Sequence, residues 1–137
     1  MANLLRVVFI CVENSNRSQM AEAFACIHGK DRVNAFSAGS RPSGRVNPKA
    51  IASMKELDFD LSTHHSKSVD DLGLVEFDVA VTMGCGDLCP TLRAKRRIDW
   101  DIPDPREMLP EQFRQVRDLI ESKVKDLLAM LASESMQ

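Results

Sequence analysis

Apolar residues fall along this chain in two kinds of run. Leu4 to Cys11 is nearly continuous, rich in Val and broken only by Arg6, which suits a strand buried on both faces of a parallel sheet. Val33 to Ala38 reads as a second strand, Phe77 to Thr82 as a third and Arg96 to Trp100 as a short fourth. Between them the period lengthens. Met20, Phe24 and Ile27 recur at helical spacing with Gly29 as the stop, and Ile51, Met54 and Leu57 make the apolar face of a second helix. Phe113, Val116, Ile120, Val124, Leu127 and Leu131, three or four apart, predict a long amphipathic helix that closes the domain. The stretch holding Gly39, Pro42, Gly44 and Pro48 reads as a loop. Strands alternating with helices imply a compact α/β sandwich around a small parallel sheet, which binds ligands beyond the carboxyl ends of its strands, where strand order reverses.

Length and composition narrow the function. The 137 residues suit one domain, spanning 1–137, and 44% hydrophobic with 28% charged residues is the balance of a soluble globular protein. A net charge of −2 argues against nucleic acid as a partner, and the basic run Arg93, Lys95, Arg96, Arg97 reads as a solvated strand edge. The apolar run at Leu4 to Cys11 stops at Glu13 without a small-residue cleavage pattern, so no signal peptide is expected; no apolar run reaches the roughly 18 residues a membrane span needs. The expected location is the cytoplasm. There, Cys11, Cys26, Cys85 and Cys89 point to catalysis, redox chemistry or metal binding rather than to structural disulfides.

The densest chemistry follows the first strand. Cys11, Val12, Glu13, Asn14, Ser15, Asn16, Arg17 and Ser18 form C-x5-R-S at a strand-to-helix turn. Backbone N–H groups of such a loop converge into an anion-binding nest over the positive end of the helix dipole. A tetrahedral oxyanion fits this nest, Arg17 adds a planar fork of donors, and the same field favours a thiolate at Cys11, to which Ser18 can donate while Asn14 pins the loop. Glu13 would oppose an anion if it faced inward, so it is expected to point to solvent. Cys85 and Cys89 lie four apart after the third strand, among residues (Gly84, Gly86, Pro90) that let a turn distort to disulfide distance; half of a zinc site, completed from Cys11, Cys26, His64 or His65, is the competing reading. Cys26 is expected to be a buried structural thiol and Trp100 a packing residue. His64 and His65 are read as structural.

The segment Cys11 to Phe24, CVENSNRSQMAEAF, resembles the active-site loop and first helix of the low-molecular-weight protein tyrosine phosphatase superfamily, and its RSQMAEAF portion resembles the thioredoxin-coupled arsenate reductases within it. The likeness continues through SAGS (Ser37 to Ser40), Ser62 to Ser68, TMGCGDLCP (Thr82 to Pro90) and Asp104-Pro105, spanning residues 4 to about 130. It implies a three-layer α/β sandwich with a four-stranded parallel sheet. It further implies an oxyanion site at Val12, Glu13, Asn14, Ser15, Asn16 and Ser18, with Cys11 and Arg17 catalytic and arsenate as substrate. In that family's chemistry, Cys11 attacks arsenate, Cys85 attacks Cys11 and expels arsenite, Cys89 moves the disulfide to Cys85–Cys89, and thioredoxin or another thiol reductant restores the thiols. The Asp104-Pro105 pair resembles the superfamily's general-acid position, with Asp101 and Asp99 as neighbouring alternatives.

Two departures from the family pattern matter. Asn16 stands where many such reductases carry a cysteine outside the redox set, and Lys67 stands where some members bind potassium through an acidic residue, so its ammonium is expected near Asn14 or Glu22 in place of an ion. No metal, cofactor or membrane partner is expected, and the chain is read as a monomer. A tyrosine phosphatase using Cys11, Arg17 and Asp104 is the alternative; Arg106, Glu107 and Met108 follow the Asp-Pro pair in place of the aromatic residues such phosphatases use, and the chain has no tyrosine. A non-catalytic redox sensor is the third reading, opposed by the complete nucleophile, arginine and acid set.

Overall fold

In a computed structural model, which describes residues 4–73, 75–84 and 93–135, the chain forms a four-stranded parallel sheet with helices against it. In chain order the elements are β1 (Leu5–Cys11), α1 (Arg17–His28), β2 (Val33–Gly39), α2 (Pro48–Lys55), two short 3-10 turns (Leu61–Thr63 and Val69–Leu72), β3 (Phe77–Thr82), β4 (Ala94–Asp99) and α3 (Pro110–Ser135). Strand order is β2-β1-β3-β4. The chain steps from β1 to one neighbour, then crosses back to the other, so order reverses between β1 and β3. The register puts Cys11 beside Gly39, and Ile10 beside Thr82, at the carboxyl edge. That edge is where the switch-point rule places a ligand.

β1 shows why a continuous apolar run was needed. Its side chains alternate between faces, and Val7, Phe9 and Cys11 enter the larger core while Val8 and Ile10 enter a smaller one. The larger core is built with Met20, Ala21 and Phe24 of α1, Ala50 and Met54 of α2, and Phe113, Val116, Ile120, Val124 and Leu127 of α3. Among the described residues the thinner layer on the opposite face comes from the turn at Val69–Leu72, over Phe36 and Phe77. Trp100 packs as expected, its ring centroid 5.9 Å from that of Phe9.

Local signals set the helix ends. The side chain of Asn47 accepts from the Lys49 amide at 2.9 Å and Pro48 opens α2, a combination that satisfies one orphan donor and removes another. Gly29 ends α1, its amide donating to the Ala25 carbonyl. Arg117, buried on α3, donates to the Ser53 carbonyl at 2.9 Å and to Glu56 at 2.7 Å, which ties α3 to α2. Some positions differ from the sequence expectation. Ile27 and Leu57 are exposed, because α1 rests on a stripe centred on Met20, Ala21 and Phe24 and α2 stops at Lys55. Cys26 is exposed too, on the outer side of that stripe. Partial burial of its sulfur and then the Glu22 carboxylate nevertheless push the thiol up from its ordinary value.

Candidate active site

β1 delivers Cys11, almost fully buried, to the carboxyl edge of the sheet, and residues 12–16 turn over it before α1 begins at Arg17. The turn closes because Asn14 takes a left-handed backbone (φ 50°), a conformation that costs most residues about 1 kcal/mol and Asn less. Gly39 passes directly beneath. A Cβ there would stand 2.6 Å from the Val12 carbonyl oxygen and 2.9 Å from the Asn14 amide nitrogen, so only glycine lets the end of β2 support the loop this closely. None of the amides of Glu13, Asn14, Ser15 and Asn16 donates to an acceptor among the described residues. Such amides are the donors an oxyanion requires.

A chain of buried hydrogen bonds runs under the loop, and its polarity can be assigned. Asn14 Oδ1 faces two donors, the Lys67 amide and Gln19 Nε2, each at 2.9 Å. Its Nδ2 therefore points at Ser18 Oγ, 2.7 Å away. The Ser18 oxygen accepts that bond, which leaves its own proton for Cys11 Sγ at 2.9 Å. Gln19 Nε2 also donates to the carbonyls of Asn14 and His65, so Gln19 Oε1 accepts and His64 Nδ1, 3.1 Å away, carries the proton. Burial holds the His64 imidazole below its ordinary pKa, opposed by the Glu22 carboxylate 3.9 Å away. The neutral ring, protonated on Nδ1, completes the chain.

Above the loop lies a pocket of about 360 Å³ lined by Cys11, Val12, Glu13, Ser15, Asn16, Arg17, Arg41, Asp104 and Arg106. The structure thus brings Asp104 to the Cys11–Arg17 segment from almost ninety residues further along the sequence. Arg17 is nearly buried and donates through Nη1 to the Ile102 carbonyl at 3.0 Å, which anchors the segment that carries Asp104. Asp104 accepts from the Arg106 amide at 3.1 Å. Asp99 is engaged with the Thr82 hydroxyl at 2.8 Å, and neither it nor Asp101 lines the pocket. Asn14 and Ser18 lie under the loop rather than in the pocket wall.

Other expectations resolve residue by residue. Glu13 does not simply face solvent: its carboxylate sits at the pocket rim 3.4 Å from the Arg106 guanidinium, which neutralises the charge that would have repelled an anion. Lys67 reaches Asn14 through its backbone, while its ammonium lies 3.0 Å from the His65 carbonyl and 3.5 Å from Ser37 Oγ, and that hydroxyl donates to Glu22. Cys85 and Cys89 lie outside the described residues. Sequence reasoning missed Gln19, Gly39 and Arg41 as parts of the site. Gln19 and Gly39 stood inside stretches quoted for their likeness, but a glutamine on a helix and a glycine at a strand end announce no chemistry until their neighbours are known.

The sequence matches the family described as low molecular weight phosphotyrosine protein phosphatase over residues 6–137. It is 36% identical over 130 residues to the glutaredoxin arsenate reductase of Synechocystis sp., covering 93% of this chain and 98% of that protein. Arsenate reductase 1 of Bacillus cereus is 40% identical over 129 residues, covering 91% of this chain and 95% of that protein. Among solved structures, an arsenate reductase in the phosphate binding state superposes with a TM-score of 0.85 at 35% identity, covering 93% of this chain and 98% of the other.

Proposed function

Because this chain belongs to the low molecular weight phosphotyrosine protein phosphatase family, we propose that it acts within that family as an arsenate reductase, converting arsenate to arsenite. The observation that carries the reading is one pocket in which Cys11, backed by the Ser18 hydroxyl, meets free loop amides, the Arg17 guanidinium and Asp104.

The oxygens of arsenate are held by the loop amides and by Arg17, donors fixed in place before the substrate arrives. Cys11 sulfur attacks arsenic, Asp104 donates a proton to the departing oxygen, and water leaves. Cys85 then attacks the Cys11 sulfur. The sulfur–sulfur bond forms as the sulfur–arsenic bond breaks, its electron pair passes to arsenic, and arsenite departs while two thiols become a disulfide. Attack by Cys89 on Cys85 transfers the disulfide and frees Cys11. A dithiol protein, thioredoxin as the sequence resemblance implies or a glutaredoxin as the name of the Synechocystis relative suggests, supplies the electrons that reset the pair. These last steps rest on the TMGCGDLCP resemblance.

The pocket mouth favours this reading over the hydrolysis of aryl phosphates. Glu13, Arg41 and Arg106 surround it, and no aromatic ring lines it among the described residues, so a small inorganic anion is better matched than a phosphotyrosine ring. No helix among the described residues is long and apolar enough to cross a membrane. A monomer working in the cytoplasm, where thiol reductants are abundant, fits a cycle that ends in a disulfide to be reduced by another thiol.

The test is arsenate-dependent NADPH oxidation coupled through thioredoxin or glutaredoxin and the corresponding reductase system, on the wild type and on Cys89→Ser. Sustained turnover by the wild type and a halt after about one turnover in Cys89→Ser is the expected result. An enzyme inert toward arsenate that hydrolyses an aryl phosphate, with or without Cys89, would establish the phosphatase instead.

A further inference from the structure

Gly84 occupies the exit from β3, directly after Met83, whose amide donates to the Ile10 carbonyl at 2.7 Å and so ties this exit to β1 one residue before Cys11. Its backbone has φ 87°, a conformation L side chains rarely adopt. A Cβ at this position would stand 2.7 Å from Nη1 of Arg17, 3.5 Å from Cζ and 3.6 Å from Nη2. The same Nη1 donates to the Ile102 carbonyl at 3.0 Å. The guanidinium is therefore confined between the exit of β3 and the segment that carries Asp104.

We propose that Gly84 is a positioning residue for oxyanion binding: by carrying no side chain it sets where the Arg17 guanidinium stands over the loop. The atoms it would strike are the far end of a flexible side chain, so the protein relieves the clash by moving Arg17 rather than by unfolding. A displaced guanidinium loses its bond to Ile102 and its two-pronged alignment on an anion, and bidentate geometry is what distinguishes arginine from a point charge. Gly73 supplies the contrast. Its backbone φ is likewise positive (70°), yet a Cβ there meets nothing within 4 Å. Alanine at Gly73 thus carries the backbone cost alone, whereas alanine at Gly84 carries that cost together with the displacement of Arg17.

The inference rests on the loop being an oxyanion site, and the test separates the two. Binding of inorganic phosphate to the reduced full chain is measured by calorimetry for the wild type, Gly84→Ala, Gly84→Asn and Gly73→Ala, with melting temperatures alongside. Asparagine tolerates positive φ better than alanine while still carrying a Cβ. Both Gly84 variants are expected to bind phosphate about tenfold more weakly, Gly73→Ala to bind like the wild type, and all to melt cooperatively. In an Arg17→Lys background, Gly84→Ala should cost little further, because the two changes remove the same alignment. Wild-type affinity in the Gly84 variants, an undiminished effect in the Arg17→Lys background, or unfolding of both Gly84 variants while Gly73→Ala stays folded would each overturn the role given to Gly84. If the wild type binds neither phosphate nor arsenate, the oxyanion-site reading itself fails.

Discussion

The floor and the rim of the pocket are built on opposite principles. In the floor, Cys11 and the residues from Asn14 to Gln19 are buried, and Cys11, Ser18, Asn14 and Gln19 are joined in a hydrogen-bonded chain that ends at His64. The rim, residues 100–108, is pinned at Trp100, Ile102 and Pro105 but leaves Asp104 and Arg106 exposed. A buried polar network is favourable only when every member is paired, so the floor has one arrangement available to it. Exposed charges are screened by solvent, so the rim has many. The difference suits the proposed chemistry, in which the floor would present fixed donors and a fixed sulfur while the rim would admit the anion, supply a proton and let product leave.

The sharpest way to break this contrast is at Asn14. Asn14→Ala leaves the Lys67 amide without its partner, removes the donor to Ser18 and one acceptor of Gln19, and places alanine at positive φ. We expect a loss of about 3 to 5 kcal/mol in denaturant unfolding, partly relieved in Asn14→Gly; a loss under about 1 kcal/mol would show the floor is not a cooperative network. Next comes the rim acid. Asp104→Asn should lower kcat for arsenate roughly a hundredfold with little change in KM or stability, and an unchanged kcat would remove Asp104 from the chemistry.

A smaller effect belongs to His64. Its pKa is lowered in the folded protein by burial, so the unfolded chain takes up the proton first. The contribution to stability is therefore present above the ordinary imidazole value and is lost as pH falls through it toward the lowered folded value. Melting temperature followed from neutral to mildly acidic pH should decline less steeply in His64→Gln than in the wild type; parallel curves would exclude His64 as the source. The smallest effect is expected at Arg106. The Glu13–Arg106 pair is exposed, so Arg106→Ala should cost well under about 1 kcal/mol of stability and raise the arsenate KM by only a few-fold, an effect that fades at high salt. A large, salt-resistant loss would make the rim as preorganised as the floor.

Much of this architecture was already written in linear patterns. The runs at Val33 and Phe77 and the spacing from Phe113 to Leu131 identified their elements, because burial on a sheet or along a helix imposes a short, regular period. The C-x5-R-S segment pointed to the proposed nucleophile and arginine for a similar reason: loop, sulfur and guanidinium lie within eight residues, and their geometry is local. Where the sequence reading misplaced residues, the deciding neighbours were remote. Cys26 and Ile27 sit on a helix whose buried stripe is selected by α3, about a hundred residues on, and Glu13 turns to a cation at Arg106.

What the sequence determined by itself was the class of fold and the segment that holds the proposed nucleophile, both carried by short-range periodicity and spacing. Only the tertiary structure set Asp104, and neither Asp101 nor Asp99, in the pocket wall, gave Gln19, Gly39 and Gly84 their places around the loop, and fixed the direction of each hydrogen bond beneath Cys11. Those choices depend on distances between segments tens of residues apart, which are set by packing against a common core and leave no periodic trace in the chain.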